Sequence, residues 1–196
     1  GVDAELLIDH AWGRETVTME DIKTYRPKSN SISSGQVLAR DYGHAEARLV
    51  AKEMADMLAL ELVEKELVTD SITLHVGYSN RMEKKPAHGT VTMTVTTSSA
   101  RQIIAYTAEL YDRIVDPHTP VRRMSLTFNH VTDEACEQYD LFTDPGELER
   151  ERRMQRAMLD IKGKFGKNAI LKGMNLQDGA TAMERNCQIG GHRSGV

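Results

Sequence analysis

The sequence predicts an α+β fold in which a four-stranded antiparallel sheet carries two helices on one of its faces. Two segments, Ser71–Tyr78 and Gly89–Ser98, alternate apolar and polar residues with the period of two that is typical of half-buried strands. Two longer segments, Gly43–Leu67 and Ser98–Val115, repeat apolar residues at the helical period. With a β-prone run before the first helix and another after the second, the predicted order is β-α-β-β-α-β.

The first strand and the first helix follow one another closely. Ser31–Leu38 is a short β-prone run that contains a glycine, a composition typical of an edge strand. In the helix after it, charged residues lie opposite an apolar stripe made of Ala47, Val50, Ala51, Met54, Met57, Leu58 and Leu62. The stripe predicts that this helix packs on the sheet.

The next elements complete the sheet and its helical layer. The two alternating strands form a hairpin with a polar loop, and their inward residues are Ile72, Leu74, Val76, Val91, Met93 and Val95. The second helix begins at Ser98 or Ser99, and its apolar stripe consists of Ile103, Tyr106, Leu110 and Ile114. The fourth strand turns Met124, Leu126 and Phe128 inward and Arg123, Ser125, Thr127 and Asn129 outward.

Extensions flank this unit on both sides. Residues 2–13 have helical spacing, and Pro27 disfavours helical geometry at the residue before it, so we place a boundary near residue 26. After His130 the sequence predicts an acidic linker, a charged helix from about Glu147 to Lys162, and a glycine-rich tail that is poorly ordered alone. The predicted division is therefore residues 1–26, 27–131 and 132–196.

The composition excludes several classes of protein. No run of eighteen apolar residues occurs, so no membrane span is predicted. Cys136 and Cys187 are far apart, which favours a reduced, cytoplasmic protein. The net charge is −4, but residues 150–172 hold eight Lys or Arg against two Asp or Glu, a pattern that we interpret as a solvated helix face.

No catalytic constellation is present in the sequence. The seven histidines are scattered, and neither a G-x-S-x-G elbow nor a G-x-x-x-x-G-K-[ST] phosphate loop occurs. His75 and His88 can meet across the hairpin as a surface pair, and Cys187 with His192 makes at most half of a zinc site. We therefore predict no catalytic residue, no metal site and no cofactor, with a small metalloenzyme as the least favoured alternative.

The outward face of the predicted sheet is the strongest functional candidate. It carries mostly hydroxyl side chains, whereas the basic and further hydroxyl residues concentrate at strand ends, at Lys28, Ser29, Ser31, Ser33, Ser34, Arg81, Lys84, Lys85, Arg122 and Arg123. Such a face can hold a nucleic-acid backbone without reading its bases. The lack of outward aromatic residues disfavours base-stacking RNA recognition. The same strand order also builds ferredoxin-like modules that bind RNA or proteins, and this alternative remains open.

Several of these segments together resemble the little-finger domain of Y-family translesion DNA polymerases. They are PKSNSISSGQVL, the long helix, the threonine-rich hairpin, the second helix and PVRRMSLTF. GVDAELLIDHAWGRE resembles the end of the thumb domain in that family. ILKGMNLQDGATAMERNCQIGGH is similar to the UmuC-like branch, the ImpB/MucB/SamB group. The resemblance covers nearly the whole chain.

The resemblance implies a non-catalytic role for this chain. In the family, acidic residues of a palm domain bind Mg²⁺ and catalyse nucleotide transfer, and palm and fingers lie upstream of the thumb. The chain thus resembles the DNA-gripping and partner-binding part of an error-prone polymerase that acts in DNA repair. For the basic stretch at residues 150–172, the resemblance adds an extra DNA contact or docking on another repair protein as alternatives.

The resemblance also assigns a DNA contact to particular residues. The open sheet of a little finger lies against duplex DNA, which maps the contact to Lys28, Ser29, Ser31, Ser33, Ser34, Arg81, Arg122, Arg123 and Thr127. Thr127 stands near a position where relatives often carry a further basic residue. Residues 26–131 hold thirteen Lys or Arg against twelve Asp or Glu, a net charge of +1. We therefore expect weak, salt-sensitive DNA binding.

A short peptide after the predicted domain matches a second motif of the family. Polymerases of this family bind the sliding clamp through Q-x-x-L-F, and Gln138 to Phe142 reads QYDLF. In an acidic segment, Leu141 and Phe142 can serve as anchors for a hydrophobic pocket, while Gln138 fixes the register by hydrogen bonding. The resemblance therefore implies clamp binding through Gln138, Leu141 and Phe142.

Overall fold

The structure is a computed structural model that describes residues 2–14, 17–24, 30–134, 144–189 and 192–193. It confirms the predicted α+β fold and the order β-α-β-β-α-β. The elements of this unit are β1 (Ile32–Tyr42), α3 (His44–Glu64), β2 (Leu67–Tyr78), β3 (Ala87–Thr97), α4 (Ala100–Ile114) and β4 (Val121–Asn129). The flanking elements are α1 (Val2–Ala11), α2 (Met19–Thr24), β5 (Thr132–Asp133), α5 (Pro145–Phe165), α6 (Ala182–Asn186), β6 (Gln188–Ile189) and β7 (His192–Arg193).

The sheet is antiparallel with the strand order β1-β4-β2-β3, so β1 is an edge strand as predicted. The register pairs Thr127 of β4 with Ser33 of β1 on one side and with Thr73 of β2 on the other. Successive side chains in a strand point to opposite faces, so this register fixes which residues share a face.

The core lies between the sheet and the layer formed by α3 and α4. Every inward residue predicted on β2 and β4 is buried, and Ile72, Leu74, Leu126 and Phe128 are fully shielded from solvent. Burial of each such side chain contributes about 1.5–3 kcal/mol to the free energy of unfolding. Both helices contact the same face of the sheet and one another, so the opposite face carries no helix of this layer.

The start of α4 is held by its cap and by the C-terminal helix. Ser99 is the N-cap residue, and its hydroxyl accepts a hydrogen bond from the Gln102 amide. The same hydroxyl donates to Glu151 of α5 at 2.6 Å, and Glu151 also accepts from the Arg101 backbone amide at 2.8 Å. Helix α5 is thereby fixed to the helical layer.

Three local features differ from the predicted elements. Helix α2 lies between the N-terminal segment with helical spacing and the boundary near residue 26, where no element is predicted. Strand β1 continues to Tyr42, past the predicted end at Leu38. Strand β2 begins at Leu67 because β5 pairs with its first two residues, a long-range pairing that no local pattern signals.

The glycine-rich tail is predicted to be poorly ordered alone, and in the structure residues 166–189, which we call the tail, are held against α3. Its contacts centre on Glu53, a residue of α3 that is only 5% exposed. The Glu53 carboxylate accepts hydrogen bonds from the Asn175 side-chain amide at 2.8 Å and from the Thr181 backbone amide at 2.7 Å. Lys172 forms an ion pair with the buried Asp56, one turn away on α3. The physical reason for the order is that two buried carboxylates of α3 require partners, and the tail supplies them.

The basic stretch at residues 150–172 is not only a solvated helix face. Arg152 pairs with Glu134, and Lys172 pairs with Asp56, so two of its cations form ion pairs with other parts of the chain. Gln155 is buried and donates to the Ser98 carbonyl at 3.2 Å. The stretch therefore contributes to the docking of α5 and the tail.

Replacing Glu53 by alanine is expected to release the tail from α3. The change leaves the Asn175 amide and the Thr181 N–H without their acceptor, which costs about 1–3 kcal/mol for each buried group. Limited trypsin digestion measures the effect, because Lys167, Lys172 and Arg185 lie in the tail. We expect faster cleavage there, whereas the Glu64→Ala variant, changed at an exposed position of the same helix, should match the parent. Equal cleavage of the two variants would contradict the anchor role of Glu53.

Candidate nucleic-acid interface

The face of the sheet opposite the helices is organised in four rows that run across the strands. We call these rows the open face, and the strand registers define their members. The rows are Asn129, Ser71 and Thr92; Ser33, Thr127, Thr73 and Thr90; Gly35, Ser125, His75 and His88; and Val37, Arg123 and Gly77. The structure describes every one of these residues, and none of them is acidic.

The hydroxyl groups of the open face form a connected network. Thr73 and Thr90 share a hydrogen bond of 2.8 Å between their hydroxyl oxygens. The Asn129 side-chain amide donates to the Thr73 hydroxyl at 2.9 Å and to the Ser71 hydroxyl at 3.4 Å. The network fixes the rotamers of these side chains, and hydroxyl groups can also donate to phosphate oxygens.

Arg123 is the cation on this face, and its position depends on a glycine. Its partner across the β4–β2 pair is Gly77, and a Cβ atom at that position would overlap the arginine side chain. The missing side chain lets Arg123 lie over the sheet while it remains exposed. No carboxylate of the described residues is within 4 Å of its guanidinium, so its charge is available to an anion.

The neighbouring Arg122 occupies a different position from Arg123. Across β2, Gly77 pairs with Arg123 and Tyr78 pairs with Val121, so Arg122 is the extra residue of a β-bulge. It is half-buried, whereas Arg123 is exposed. The arginine pair predicted as a unit is therefore divided between the open face and the bulge.

The serines of the first strand do not share one face. Ser31 is exposed just before β1, and Ser33 belongs to the open face. Ser34 is placed by the alternation of the strand on the helix-covered side, where its hydroxyl accepts a hydrogen bond from Arg185 of α6 at 3.2 Å. The structure thus removes Ser34 from the predicted open-face contact. Lys28 and Ser29 lie outside the described residues.

The loop between β2 and β3 holds the other predicted cations. Lys84 forms an ion pair with Asp116 and donates to the Thr119 hydroxyl at 3.2 Å, which ties the loop to the segment before β4. Arg81 and Lys85 are exposed. These two side chains extend the positive charge beyond one end of the sheet.

Residues 29–141 match the family model described as the impB/mucB/samB family C-terminal domain. The chain belongs to the impB/mucB/samB family. The matched region contains all six elements of the β-α-β-β-α-β unit and the whole open face. The matched region includes the segments that carry the resemblance to the little-finger domain.

Curated members of the same family show similarity beyond the matched domain. The chain is 28% identical over 165 residues to the putative UV-damage repair protein UvrX of Bacillus subtilis, which covers 84% of this chain and 39% of UvrX. It is 26% identical over 166 residues to DNA polymerase IV 2 of Halalkalibacterium halodurans, covering 84% of this chain and 40% of that protein. The chain therefore spans about two fifths of the length of these relatives.

Two solved structures show a more distant likeness. A complex of the beta-clamp processivity factor and the little finger domain of PolIV matches 58% of this chain and 100% of that chain, at 12% identity and a TM-score of 0.41. A post-insertion binary complex of the Dbh DNA polymerase matches 67% of this chain and 36% of that chain, at 12% identity and a TM-score of 0.39.

The Q-x-x-L-F peptide of this family member falls in residues 135–143, so Gln138, Leu141 and Phe142 lie outside the described residues. Both flanks are described. The Glu134 backbone amide donates to the Glu66 carbonyl at 3.0 Å, and the Asp144 side chain accepts from the Gly146 amide at the start of α5. The two ends of the peptide segment are thus attached to the folded unit.

Other kinds of site receive no support within the part of the chain that the structure describes. There, no three His, Cys, Asp or Glu side chains are grouped so that they could hold a metal ion. His75 and His88 meet across the hairpin with ring centroids 6.2 Å apart, as a surface pair on the open face. None of the helices in the described residues is both long and apolar enough to span a membrane.

One contributor to this surface could not be found from the sequence. A shallow groove of about 490 Å³ is lined by His75, Arg123 and Ser125 of the open face together with Arg185 and Gln188 of the tail. Arg185 follows Gly35 by 150 residues and sits in a short helix without an apolar stripe. Neither spacing nor periodicity indicates that it lies beside β1.

Proposed function

We propose that this chain holds duplex DNA by its backbone, as the non-catalytic region of an error-prone translesion DNA polymerase. The observation that carries the proposal is the open face. It combines a connected set of hydroxyl groups with Arg123 and contains no carboxylate. Phosphate contacts in protein–DNA complexes come from such hydroxyl, basic and amide groups.

The dimensions and the composition of the open face both suit a DNA backbone. Neighbouring strands lie about 4.8 Å apart, so four strands present a face roughly 15 Å wide, which can lie across the phosphate backbones that border the B-DNA major groove of about 12 Å. The four rows contain no Phe, Tyr or Trp. Recognition of single-stranded RNA by base stacking requires aromatic side chains, so the rows favour backbone binding over the RNA-binding alternative.

The charge of the domain implies a weak grip. Residues 26–131 carry a net charge of +1, from thirteen Lys or Arg and twelve Asp or Glu. Arg48 and Lys84 already form ion pairs with Asp112 and Asp116. Binding therefore depends on a small number of phosphate contacts, and its affinity should fall as salt increases.

The relatives support the role of the whole protein. Their names assign them to UV-damage repair and to DNA polymerase IV, and this chain matches about two fifths of their length. We propose that the parent protein is a DNA-directed DNA polymerase whose Mg²⁺-binding residues lie in the part that this chain does not span. We also propose a role in the SOS response and a cytoplasmic, nucleoid-associated location.

The second proposed partner is the sliding clamp. Gln138, Leu141 and Phe142 fit the Q-x-x-L-F motif, and the motif lies at the C-terminal end of the matched family domain. The residues on either side of this segment, Glu134 and Asp144, form described hydrogen bonds with Glu66 and Gly146. A peptide with two apolar anchors suits a hydrophobic pocket on a partner.

The DNA-binding proposal is tested with the Arg123→Gln variant. The change removes one phosphate contact and is expected to lower affinity for a labelled primer–template duplex several-fold at low salt, as measured by fluorescence anisotropy. Arg153→Gln is the matched control, because Arg153 is exposed on α5 and makes no contact with the open face.

The outcomes of this test are distinct. Weaker binding by Arg123→Gln, with Arg153→Gln equal to the parent chain, supports the proposed surface. Equal weakening by both variants would show that total charge, and not the open face, determines binding. An affinity unchanged in Arg123→Gln would show that the DNA lies elsewhere.

A further inference from the structure

Arg185 extends from α6 to the edge strand of the sheet. One of its terminal nitrogens, Nη2, donates to the Ser34 hydroxyl at 3.2 Å and is 3.5 Å from the Gly35 carbonyl oxygen. Gly35 is a member of the open face, so the guanidinium lies where the helix-covered side of β1 meets that face.

Several arginines of this chain form ion pairs with carboxylates, and Arg185 differs from them. Arg40, Arg48 and Arg101 each pair with a carboxylate, at 2.5, 2.7 and 2.9 Å. Arg185 is half-buried, and no carboxylate of the described residues lies within 4 Å of its guanidinium. Burial lowers the pKa of Arg185, although Glu53 opposes this effect at longer range.

The position of Arg185 is maintained by the buried anchor of the tail. Thr181 is the N-cap residue of α6, and its backbone amide donates to the Glu53 carboxylate at 2.7 Å. The Thr181 hydroxyl also lies 3.4 Å from the Gln36 side chain on β1. These bonds hold α6 between α3 and the sheet edge, because Thr181 contacts both α3 and β1.

We propose that Arg185 is a further DNA-backbone contact, so that the C-terminal tail forms part of the nucleic-acid interface. The inference rests on the proposed function of the open face. The groove lined by Arg123, Ser125 and His75 is also lined by Arg185 and Gln188. A phosphate in this groove supplies the negative charge that Arg185 lacks, and the arginine donors not directed at Ser34 and Gly35 can bind it.

The test compares four arginine variants of the 196-residue chain, one of which is Arg123→Gln, with a labelled primer–template duplex as the probe. Arg185→Gln is expected to weaken binding several-fold and to reduce the slope of log affinity against log salt by about one. Arg185→Lys keeps the charge and should retain most of the affinity. Arg153→Gln, on the outer face of α5, should bind as the parent chain does.

Tail integrity is measured by trypsin digestion in the same preparations. If Arg185→Gln binds like the parent while Arg123→Gln binds more weakly, the open face is correct and the role of Arg185 is overturned. If Arg123→Gln also matches the parent, the proposed function itself fails. Two results would show that Arg185 holds the tail in place and does not contact DNA. The first is that Arg185→Lys loses as much affinity as Arg185→Gln. The second is that the weaker DNA binding of Arg185→Gln is accounted for by release of the tail, seen as faster trypsin cleavage there.

Discussion

Replacing Leu141 and Phe142 together by alanine is expected to abolish binding of this chain to a bacterial sliding clamp. Buried apolar anchors of an interface contribute about 2 kcal/mol or more each, so the loss of both lowers affinity by about a thousandfold. The contacts described on both flanks of the peptide do not involve these two residues. Those contacts are the Glu134–Glu66 hydrogen bond and the Asp144 cap of α5.

Surface plasmon resonance with immobilised clamp measures this prediction. The matched control is Tyr139→Ala with Asp140→Ala, which changes the two variable positions of the same Q-x-x-L-F motif. The control should retain most of the affinity. Clamp binding that survives the loss of Leu141 and Phe142 would place the clamp contact elsewhere on the chain.

Introducing a carboxylate in the middle of the open face should have the second-largest effect. Thr127 lies between Ser33 and Thr73 in its row, half-buried, with Leu126 and Phe128 of the core pointing the other way. Glutamate at this position brings a negative charge against the phosphates, and like charges across an interface cost up to several kcal/mol. We expect DNA affinity to fall at least about tenfold in Thr127→Glu.

The neutral variant Thr127→Gln serves as the control for size and for loss of the hydroxyl. Thermal melting should show both variants folded, because position 127 lies outside the core. DNA binding is compared by anisotropy at low salt. Equal affinity of Thr127→Glu and Thr127→Gln would show that no phosphate approaches this row.

The sheet and its inward residues could be predicted from the sequence because a period of two is unambiguous in β2, β3 and β4. Threonine alternates with valine and methionine in β3, so each residue type indicates its own face. In SISSG the period of two does not indicate which residues share a face, because hydroxyl residues occupy adjacent positions. The pattern therefore could not assign Ser33 and Ser34 to opposite faces, and the strand register was needed.

The order of the tail could not be predicted for a different physical reason. Glu53 belongs to the polar side of an amphipathic helix by every local measure, and such residues are usually exposed. Its partners Asn175 and Thr181 are 122 and 128 residues away in the chain. Glu53 is buried in the structure together with these partners, and no local period indicates such a contact.

The salt dependence of DNA binding tests the central claim most directly. The affinity of the parent chain and of Arg123→Gln for duplex DNA is measured over a series of salt concentrations. The account predicts that log affinity falls linearly with log salt for both, with a slope shallower by about one in the variant. An affinity that does not change with salt, or identical slopes for the two proteins, would contradict backbone binding by the open face.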